Sequence, residues 1–464
     1  NKALVAAFEQ KLGREIFVSR LCHLTGAFGI NLVMEEEKIR KSRFRGLQLY
    51  HTDIPIRTEI CELCNNHCKL TIARIKDEDL AYGFLCGRDY NTQRYVAREK
   101  DGFRLLTERK MSFDKHRGKT LGSKIKIGIP SALHMFEEIP FWRVFFSEIG
   151  VDLITSNTDK TLLKVGKHLA GAEFCAPIES MYGHVKSLIE KVDYIFLPVY
   201  IETRDRSAAR ERNYCYYTQF SPSIVSQIGH DEWKEKFIVP EMDFSQSPKK
   251  YLTSLYRSLE KVLYGDISFH STLEAWEKAS RHAQDLTSDW KEKFTREFQP
   301  GQDLSVVLLG RPYVILSGEL NKSIPEYFST RGIKCFFQDM LPVDTYKSSF
   351  TREILLKVPW HYAANILGAA DYIARTPGLY PVLVTAFKCA PDSFIIDYYK
   401  KVLEAHSKPY LILQIDEHDS AVGYETRIEA ALRSFRNHVS KKPPAELEKI
   451  PGIFPKVEHS IGEK

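Results

Sequence analysis

The sequence predicts an α/β protein. Its main body is two doubly wound parallel-sheet lobes, preceded by a truncated N-terminal α/β tail and a small cysteine-rich metal module. Strand-like and helix-like segments alternate from Lys124 onward, which is typical of a parallel sheet covered on both faces. The same alternation starts again after Gly301, and a long helical segment separates the two runs. A chain of 464 residues also exceeds what a single core usually fills.

The first predicted lobe spans residues 122–264. Short apolar runs beside turn signals predict its strands, and they are KIKIGIP, VDLITSN and VDYIFLPVY. Helical spacing of apolar residues predicts its helices, which are FEEIPFWRVFFSEIG, TLLKVGKHLA and SMYGHVKSLIEK. Residues 265–299, rich in Glu, Lys, Ala and Trp, predict a connecting helix that ends at Pro300 and Gly301.

The second predicted lobe spans residues 300–440 and is followed by a C-terminal tail, residues 441–464. Its predicted strands are DLSVVLLGRPY, GIKCFFQD, DYIARTPG, PVLVTAFKC and PYLILQIDE. Helical stretches such as REILLKVPWHYAANILGA and DSFIIDYYKKVLEAH separate them. Each lobe opens with a strand that ends at a Gly and Pro turn, so two similar lobes are the economical interpretation.

The chain before the lobes divides into two parts. Residues 1–45 predict an amphipathic helix, then a short apolar strand and a second helix; so short a segment cannot bury a sizeable core alone. We interpret it as the C-terminal tail of another domain. Residues 46–112 combine strand-like pieces such as CKLTIARI and DGFRLLT with four cysteines. Their apolar content is modest, so we expect a metal to stabilise this module.

Composition excludes several functional classes. The net charge of +6 is spread over 66 basic and 60 acidic residues without a basic arm, so we expect no nucleic-acid partner. No apolar run approaches the roughly 20 residues that cross a bilayer, and no signal peptide is visible, which predicts a cytoplasmic protein without membrane contact. Neither GxxxxGK[ST] nor GxGxxG occurs. Nine cysteines, an odd number, favour reduced thiols and metal ligation over disulfides.

Four cysteines lie close together in the segments CELCNNHC and GFLCG. They are Cys61, Cys64, Cys68 and Cys86. Two tight turns can bring their sulfurs to one point, as a tetrahedral zinc ion or an iron-sulfur cluster requires. His67 is an alternative ligand. The spacing predicts a closed, structural metal site that holds either zinc or a second iron-sulfur cluster.

Three further cysteines follow strands or begin helices. They are Cys175 in EFCAPIESMYGHV, Cys215 in RNYCYYTQFSP and Cys389 in TAFKCAPDSF. Ligands of open α/β sheets collect outside the carboxyl ends of the strands, so these loops can converge and each thiol is a candidate cluster ligand. From the residue pattern alone, unrelated thiols in turns are an equally open interpretation. Cys22 and Cys335 lie in apolar runs and predict core thiols.

Polar residues near these cysteines predict catalytic groups. Three thiolates on a [4Fe-4S] cluster leave one iron open to a substrate oxygen, a sulfide or a second cluster. Glu179, Ser180 and His184 follow Cys175, and helical spacing places Ser180 and His184 on one face. His184 is a candidate proton donor, or a structural histidine. Arg311 ends a predicted strand and is a candidate anion clamp.

These segments resemble the CoA-substrate-specific enzyme activase family, in the long form related to activators of 2-hydroxyacyl-CoA dehydratases. The opening NKALVAAFEQKLGREIFV is similar to the end of the activator's ATPase domain, which has an actin- and hexokinase-like fold. The segments CELCNNHC and GFLCGR are similar to the cysteine module of the long forms. The downstream cluster-carrying region of that family is similar to KIGIPSALHMFEEIPFWRVFFSEIG, CAPIESMYGHV, GRPY, FKCAPDSFIIDYYKKVLE and LQIDEH.

The resemblance implies an oxygen-sensitive, anaerobic redox system in which ATP hydrolysis drives an electron to very low potential. Its partners would be an upstream ATPase domain of the same longer protein and a dehydratase-like iron-sulfur protein. Cys175, Cys215 and Cys389 match the family positions that hold a [4Fe-4S] or double-cubane cluster. Around Cys215 the sequence reads YCYYTQFSP where the family usually has Asn-Cys-Pro.

The leading hypothesis is the iron-sulfur, electron-accepting part of an ATP-dependent enzyme of the dehydratase activase or reductase type. The alternative is a noncatalytic scaffold, in which zinc stabilises the cysteine module and the lobes dock partner subunits. A third interpretation is a CoA-thioester enzyme that acts directly through the open iron. A homodimer is expected from the general frequency of homo-oligomers.

Overall fold

A computed structural model describes residues 2–38, 46–60, 69–75, 78–83, 105–115, 122–157, 160–205, 210–227, 231–301, 304–329, 331–343, 349–415 and 422–440. The chain forms two compact units. The first consists mainly of residues 1–84, and the second mainly of residues 93–464. None of the helices in these ranges combines the length and the hydrophobicity that crossing a bilayer requires.

The first unit contains two helices and a small antiparallel sheet. Its elements are α1 (Lys2–Leu12), α2 (Thr25–Glu36), β1 (Ile56–Ile60), β2 (Lys69–Ile75) and β3 (Glu78–Tyr82), with short 3-10 turns at Cys22–Leu24 and Leu47–His51. The sheet order is β1-β2-β3, and both pairings are antiparallel. Strand β2 confirms the prediction made from CKLTIARI.

Two expectations for this unit are wrong. Residues 15–19 form no strand, because no strand among the described residues pairs with them. The Ile16 N–H instead donates a hydrogen bond to the Glu9 carboxylate at 3.1 Å. An apolar run becomes a strand only where a neighbour accepts its backbone hydrogen bonds. Cys22 is exposed and is not a core thiol, whereas Cys335 in the second unit is buried as predicted.

The second unit begins with one helix and a first lobe. The elements are α3 (Leu105–Lys115), β4 (Lys126–Ile129), α4 (Leu133–Glu148), β5 (Asp152–Thr155), α5 (Lys160–Ala170), α6 (Ala176–Leu188), β6 (Tyr194–Phe196), β7 (Val199–Tyr200), β8 (Glu202–Asp205), β9 (Arg210–Asn213), α7 (Tyr216–Gln219), α8 (Ser221–Ser226), α9 (Asp231–Lys234), β10 (Phe237–Ile238), β11 (Glu241–Met242) and α10 (Pro248–Leu263). The strand predicted in DGFRLLT is wrong, because helix α3 begins at Leu105 and carries helix-favouring Leu, Glu, Arg and Lys residues.

A long helix and a second lobe follow. The elements are α11 (Phe269–Glu297), β12 (Ser305–Leu309), α12 (Pro312–Ile315), α13 (Ile324–Ser329), β13 (Lys334–Phe337), a 3-10 turn (Gln338–Met340), α14 (Ser349–Lys357), α15 (His361–Ala374), β14 (Leu379–Ala386), α16 (Ala390–Glu404), β15 (Leu411–Ile415) and α17 (Val422–Ser440).

The strand predicted in DYIARTPG is wrong. Those residues end α15, whose almost wholly buried, alanine-rich sequence has no polar face to distinguish a buried helix from a buried strand.

Both lobes have the α/β fold that the sequence predicts, and their sheets share one strand order. The first sheet runs β10-β6-β4-β5 and the second runs β13-β12-β14-β15, with every pairing parallel. In each lobe, therefore, the first and third strands are neighbours, and the chain changes direction across the sheet between them. Ligands of such sheets bind at this switch point, beyond the carboxyl ends of the two strands.

Helix α11 confirms the predicted connecting helix and contacts both lobes. A capping box between Ser268 and Ser271 fixes its start. Near that end, the Trp276 ring lies 4.8 Å from Phe141 of α4. Near the other end, the Phe294 ring lies 4.9 Å from Phe336 of β13. One rigid helix thus packs on an aromatic core in each lobe.

Two glycines allow helices α5 and α6 to pack backbone against backbone. A Cβ atom on Gly166 would lie 1.7 Å from the Glu179 carbonyl oxygen, and one on Gly183 would lie 2.1 Å from the Leu162 carbonyl oxygen. No side chain fits at either place without moving a helix. This close packing fixes the position of α6, which follows Cys175 directly.

Gly183→Ala should therefore destabilise the second unit by about 1 to 3 kcal/mol, because the added methyl group forces the two backbones apart. Urea unfolding followed by circular dichroism measures the change. Gly423→Ala in α17 is the matched control, since a Cβ there meets no atom within 4 Å. A Gly183→Ala protein as stable as the wild type would show that α5 and α6 are less tightly packed than described.

Candidate functional site

Each of the three candidate cluster cysteines stands immediately before a helix. Cys175 precedes α6, Cys215 precedes α7 and Cys389 precedes α16, and all three have extended backbone angles at the N-cap position. Cys175 and Cys389 share the sequence Cys-Ala-Pro, which places a proline in the first turn of each long helix. Proline is favoured there because its fixed φ suits a helix start and its missing N–H is not needed.

Each of the three thiols is within electrostatic range of the Arg311 guanidinium. The pKa of Cys175 is raised to about 11, mainly by burial. The Ile178 N–H and Arg311 lower it, and the charges of Cys215 and Asp392 raise it. Burial also raises the pKa of Cys389, which Arg311 lowers and Cys175 raises. That these distant loops converge on one cluster stays a prediction, because no three Cys, His, Asp or Glu side chains in the described part of the chain lie close enough to hold a metal ion.

Arg311 is the buried cation within range of these thiols. It lies two residues after Leu309, the last residue of β12, and is 3% exposed. Its Nε donates to Asp392 Oδ1 at 3.0 Å, and its Nη1 donates to the Tyr313 hydroxyl at 2.7 Å. The other Asp392 oxygen accepts a hydrogen bond from the Thr385 hydroxyl at 2.8 Å. The guanidinium is thus fixed between the first and third strands of the second lobe.

Arg311 and Cys389 lie at the switch point of that lobe. Strands β12 and β14 are parallel neighbours, with Leu309 beside Leu383, so the loops that carry Arg311 and Cys389 leave the same edge of the sheet. Gly310 makes the tight exit possible. It has a φ of +154°, and a Cβ there would lie 2.5 Å from the Val384 carbonyl oxygen.

Two of the three predicted catalytic residues join a buried hydrogen-bond network. The His184 Nε2 atom lies 2.9 Å from Glu319 Oε2, and the Ser180 hydroxyl donates to both Glu319 oxygens at 3.1 Å. On its other side, His184 Nδ1 lies 2.6 Å from the Ser156 hydroxyl. Glu319 belongs to the second lobe, so the network joins the two lobes. Glu179 is also buried.

This network lies away from the thiols. His184 follows Cys175 by nine residues along one helix, which is a separation of about 13 Å along the axis. Its observed partners are Ser156 and Glu319. The arrangement explains how α6 is held in place, while the catalytic role of Glu179, Ser180 and His184 stays a prediction. Glu319 had no local sequence signal, because a single glutamate in a loop is ordinary.

A second polar group, which sequence reasoning missed, occupies α4. The Tyr362 hydroxyl donates to Glu137, and the Tyr200 hydroxyl and Trp142 Nε1 donate to Glu138. Burial raises the pKa of Glu137 to about 8 and that of Glu138 to about 7. The apolar surroundings therefore favour the neutral, protonated form of both acids.

The remaining predicted metal ligands cannot be placed. Cys61, Cys64, Cys68 and Cys86 lie outside the described residues, as does His67. Within the described ranges, no group of three or more His, Cys, Asp or Glu side chains is close enough to hold a metal ion.

Comparison with known families assigns the first lobe and part of the second. Residues 126–341 match the family model described as "CoA enzyme activase uncharacterised domain". This segment of the chain is related to the CoA enzyme activases. The matched segment contains Cys175, Cys215, Arg311 and Glu319, and it ends before Cys389. The family resemblance inferred from the sequence is thereby confirmed.

The remaining comparisons add little. No curated protein sequence matches the chain. Two similar solved structures are "Structure of the SBP FpvC from pseudomonas aeruginosa in complex with Mn2+" and "C-terminal domain of glucosamine-fructose-6-phosphate aminotransferase from Francisella tularensis". The first shares 10% identity, covers 68% of this chain and 98% of its own, and has a TM-score of 0.21. The second shares 10% identity, covers 72% and 86%, and has a TM-score of 0.18, so neither bears on fold or function.

Asp392→Asn should destabilise the second unit by about 3 to 5 kcal/mol, because it leaves the Arg311 charge buried without its counter-ion. Chemical unfolding measures the loss. The matched control is Glu429→Gln, which breaks an ion pair with Arg331 whose side chains are 27% and 53% exposed. Removing that surface pair should cost less than about 1 kcal/mol. Equal losses in the two variants would contradict the buried pair.

Glu137→Gln should flatten the dependence of stability on pH. The folded-state pKa near 8 lies above the ordinary value of 4.5, so between these values the folded protein keeps a proton that the unfolded chain releases. Stability should therefore fall as the pH rises from about 4.5 to about 8. Glutamine still accepts from Tyr362 but cannot ionise. Urea midpoints across this range test the prediction, and an unchanged slope in the variant would refute it.

Proposed function

We propose that the second unit is the iron-sulfur, electron-accepting part of an ATP-dependent redox protein related to the CoA enzyme activases. In this proposal Cys175, Cys215 and Cys389 hold one cluster of the [4Fe-4S] or double-cubane type. One observation carries the proposal: three thiols from three separate segments share the surroundings of a single buried arginine. The family match supports the activase relationship but names no cofactor.

The chemistry of the donor set fits such a cluster. Iron-sulfur clusters are held by cysteine thiolates, and three thiolates leave one iron available to another ligand. Burial of Cys175 and Cys389 favours neutral thiols, so metal binding must displace their protons. The Arg311 charge and the first-turn N–H groups of α6 and α16 then offset the negative charge that develops.

The proposal includes partners and a second metal. A bound cluster would supply one-electron redox chemistry, with the electron coming from an ATPase domain upstream in the same longer protein. A dehydratase-like iron-sulfur protein would be the partner that exchanges electrons with it, and a homodimer is the proposed assembly. The quartet of Cys61, Cys64, Cys68 and Cys86 would hold zinc or a second cluster in a structural role.

Anaerobic reconstitution with iron and sulfide, followed by metal and sulfide counting, tests the proposal. Cys389→Ser should lose close to one cluster's iron relative to the wild type, because a cluster with two remaining thiolates is poorly held. Cys335→Ala is the matched control. Cys335 is a buried thiol on β13 whose pKa is raised by burial, but it lies outside the three-thiol neighbourhood. This control should keep its full iron content.

The other outcomes are equally informative. Unchanged iron in Cys389→Ser would remove that residue from the site. A wild-type protein that contains zinc alone and shows no visible absorption would favour the noncatalytic scaffold instead. A Cys61→Ser variant, measured in parallel, separates metal bound by the quartet from metal bound by the three thiols.

A further inference from the structure

The first two turns of α4, residues 133–139, are loosely tied to the rest of their helix. Leu133 is the first residue of α4 and has a φ of +46°, in the left-handed region that a leucine rarely adopts. Pro140 lies inside the helix and has no N–H, so the helix lacks one backbone hydrogen bond just after these turns. Strain at one end and a missing bond at the other make this segment a natural place for movement.

His134, in the same turns, is a buried polar side chain that the structure leaves unsatisfied. It is 0% exposed, and neither ring nitrogen has a hydrogen-bond partner among the described residues. Burial lowers the pKa of His134 to about 3, against the opposing effect of the Pro198 carbonyl, which lies outside hydrogen-bond geometry. Its ring stacks on Tyr200, with the two centroids 4.6 Å apart. Such a group is costly, and water would satisfy it in any conformation that exposes the segment.

Two acids of the same turns connect the segment to both lobes. The Tyr362 hydroxyl, on α15 of the second lobe, donates to Glu137. The Tyr200 hydroxyl, in the first lobe, donates to Glu138. Both glutamates are half-buried, so water can exchange a proton with them. The contact between α4 and the second lobe therefore includes a carboxyl group that can gain or lose a proton.

The surroundings of Glu137 oppose its ionisation. Burial raises its pKa to about 8; among its charged and hydrogen-bonding neighbours, Tyr362 and Arg109 lower it, whereas Glu138 and Asp339 raise it. Arg109 on α3 offsets the Asp339 charge through a hydrogen bond of 2.9 Å. A conformation that exposes Glu137 to water returns its pKa toward the ordinary value. Release of the proton therefore favours the exposed conformation.

We propose that residues 133–139 form a proton-operated hinge between the lobes. In the closed form, which is the one described above, Glu137 and Glu138 carry protons and the segment packs on Tyr362 and Tyr200. Release of the protons opens this contact. The inference rests on the strained helix start, the unpaired histidine and the acids bonded to both lobes, and it does not require a metal at the cysteines.

Opening of the hinge would change the packing of the Cys215 loop. Tyr214 directly precedes Cys215, and its ring lies 5.6 Å from Tyr200 and 5.7 Å from Tyr362. Its hydroxyl is a further titratable group that faces both acids. The two tyrosines that hold the hinge closed are thus the same two that hold Tyr214 in place.

Hydrogen exchange followed by mass spectrometry measures the opening against pH. Exchange rates in residues 133–139 and 361–366, divided by the intrinsic rate at each pH, give the opening equilibrium constant. Wild-type opening should grow by about tenfold or more per pH unit between about pH 5 and about pH 7, because each exposed acid releases one proton. Strand β14, whose residues are all buried, reports global unfolding and should open far less.

Three variants separate proton release from loss of packing. Glu137→Gln cannot release a proton and should reduce the growth of opening by about tenfold per pH unit. Tyr362→Phe loses the hydroxyl that joins the lobes, so opening should increase several-fold at one pH without a flatter pH dependence. Glu429→Gln on α17 is the matched control, since that exposed carboxylate pairs with Arg331. It should keep the wild-type pH dependence, and circular dichroism confirms that each variant is folded.

A wild-type pH dependence that survives in Glu137→Gln, or that is lost equally in Glu429→Gln, would overturn the hinge. Equal opening constants in residues 133–139, residues 361–366 and β14 would also overturn it, because the lobes would then separate only when the whole unit unfolds. The measurement is made on the protein without added iron. Its failure therefore leaves the proposed cluster untouched, and failure of reconstitution leaves the hinge untouched.

Discussion

The ion pair between Arg311 and Asp392 is the constraint on which the candidate site depends. It joins the end of β12 to the first turn of α16, and both side chains are nearly inaccessible, at 4% and 1% exposure. Taking two charges out of water is expensive, and such a pair is seldom the most stable choice for a core. Its value here is positional. It fixes the start of α16, and therefore Cys389, relative to the loop that carries Arg311.

The two lobes use the same topology but place their thiols differently. Both sheets have the first and third strands as neighbours, and both lobes contain a Cys-Ala-Pro helix start. Cys389 follows β14 within a few residues, so it lies directly at a switch point. Cys175 instead follows the extra helix α5, whose glycine contact with α6 sets its position. The hydrogen bonds from Ser180 and His184 to Glu319 then tie α6 to the second lobe.

Local pattern was sufficient for most of the fold and for part of the site. Apolar spacing predicts the strand KIKIGIP and the long helix α11. The prolines that follow Cys175 and Cys389 are typical of helix starts at those places. The end of α15 was misassigned because a fully buried segment has no periodicity to distinguish its class. Asp392 and Glu319 were missed for another reason. Their roles depend on partners 81 and 135 residues away, and no local pattern encodes such a distance.

Burial favours the neutral form of several titratable groups in the second unit. Burial favours neutral thiols at Cys175 and Cys389 and neutral carboxyl groups at Glu137 and Glu138. The buried cation Arg311 is balanced by Asp392. Metal binding would convert several neutral thiols to thiolates at once, in surroundings that penalise each new charge. In the proposed cluster site, metal binding would therefore release protons, and the charge of Arg311 would offset part of the negative charge that develops.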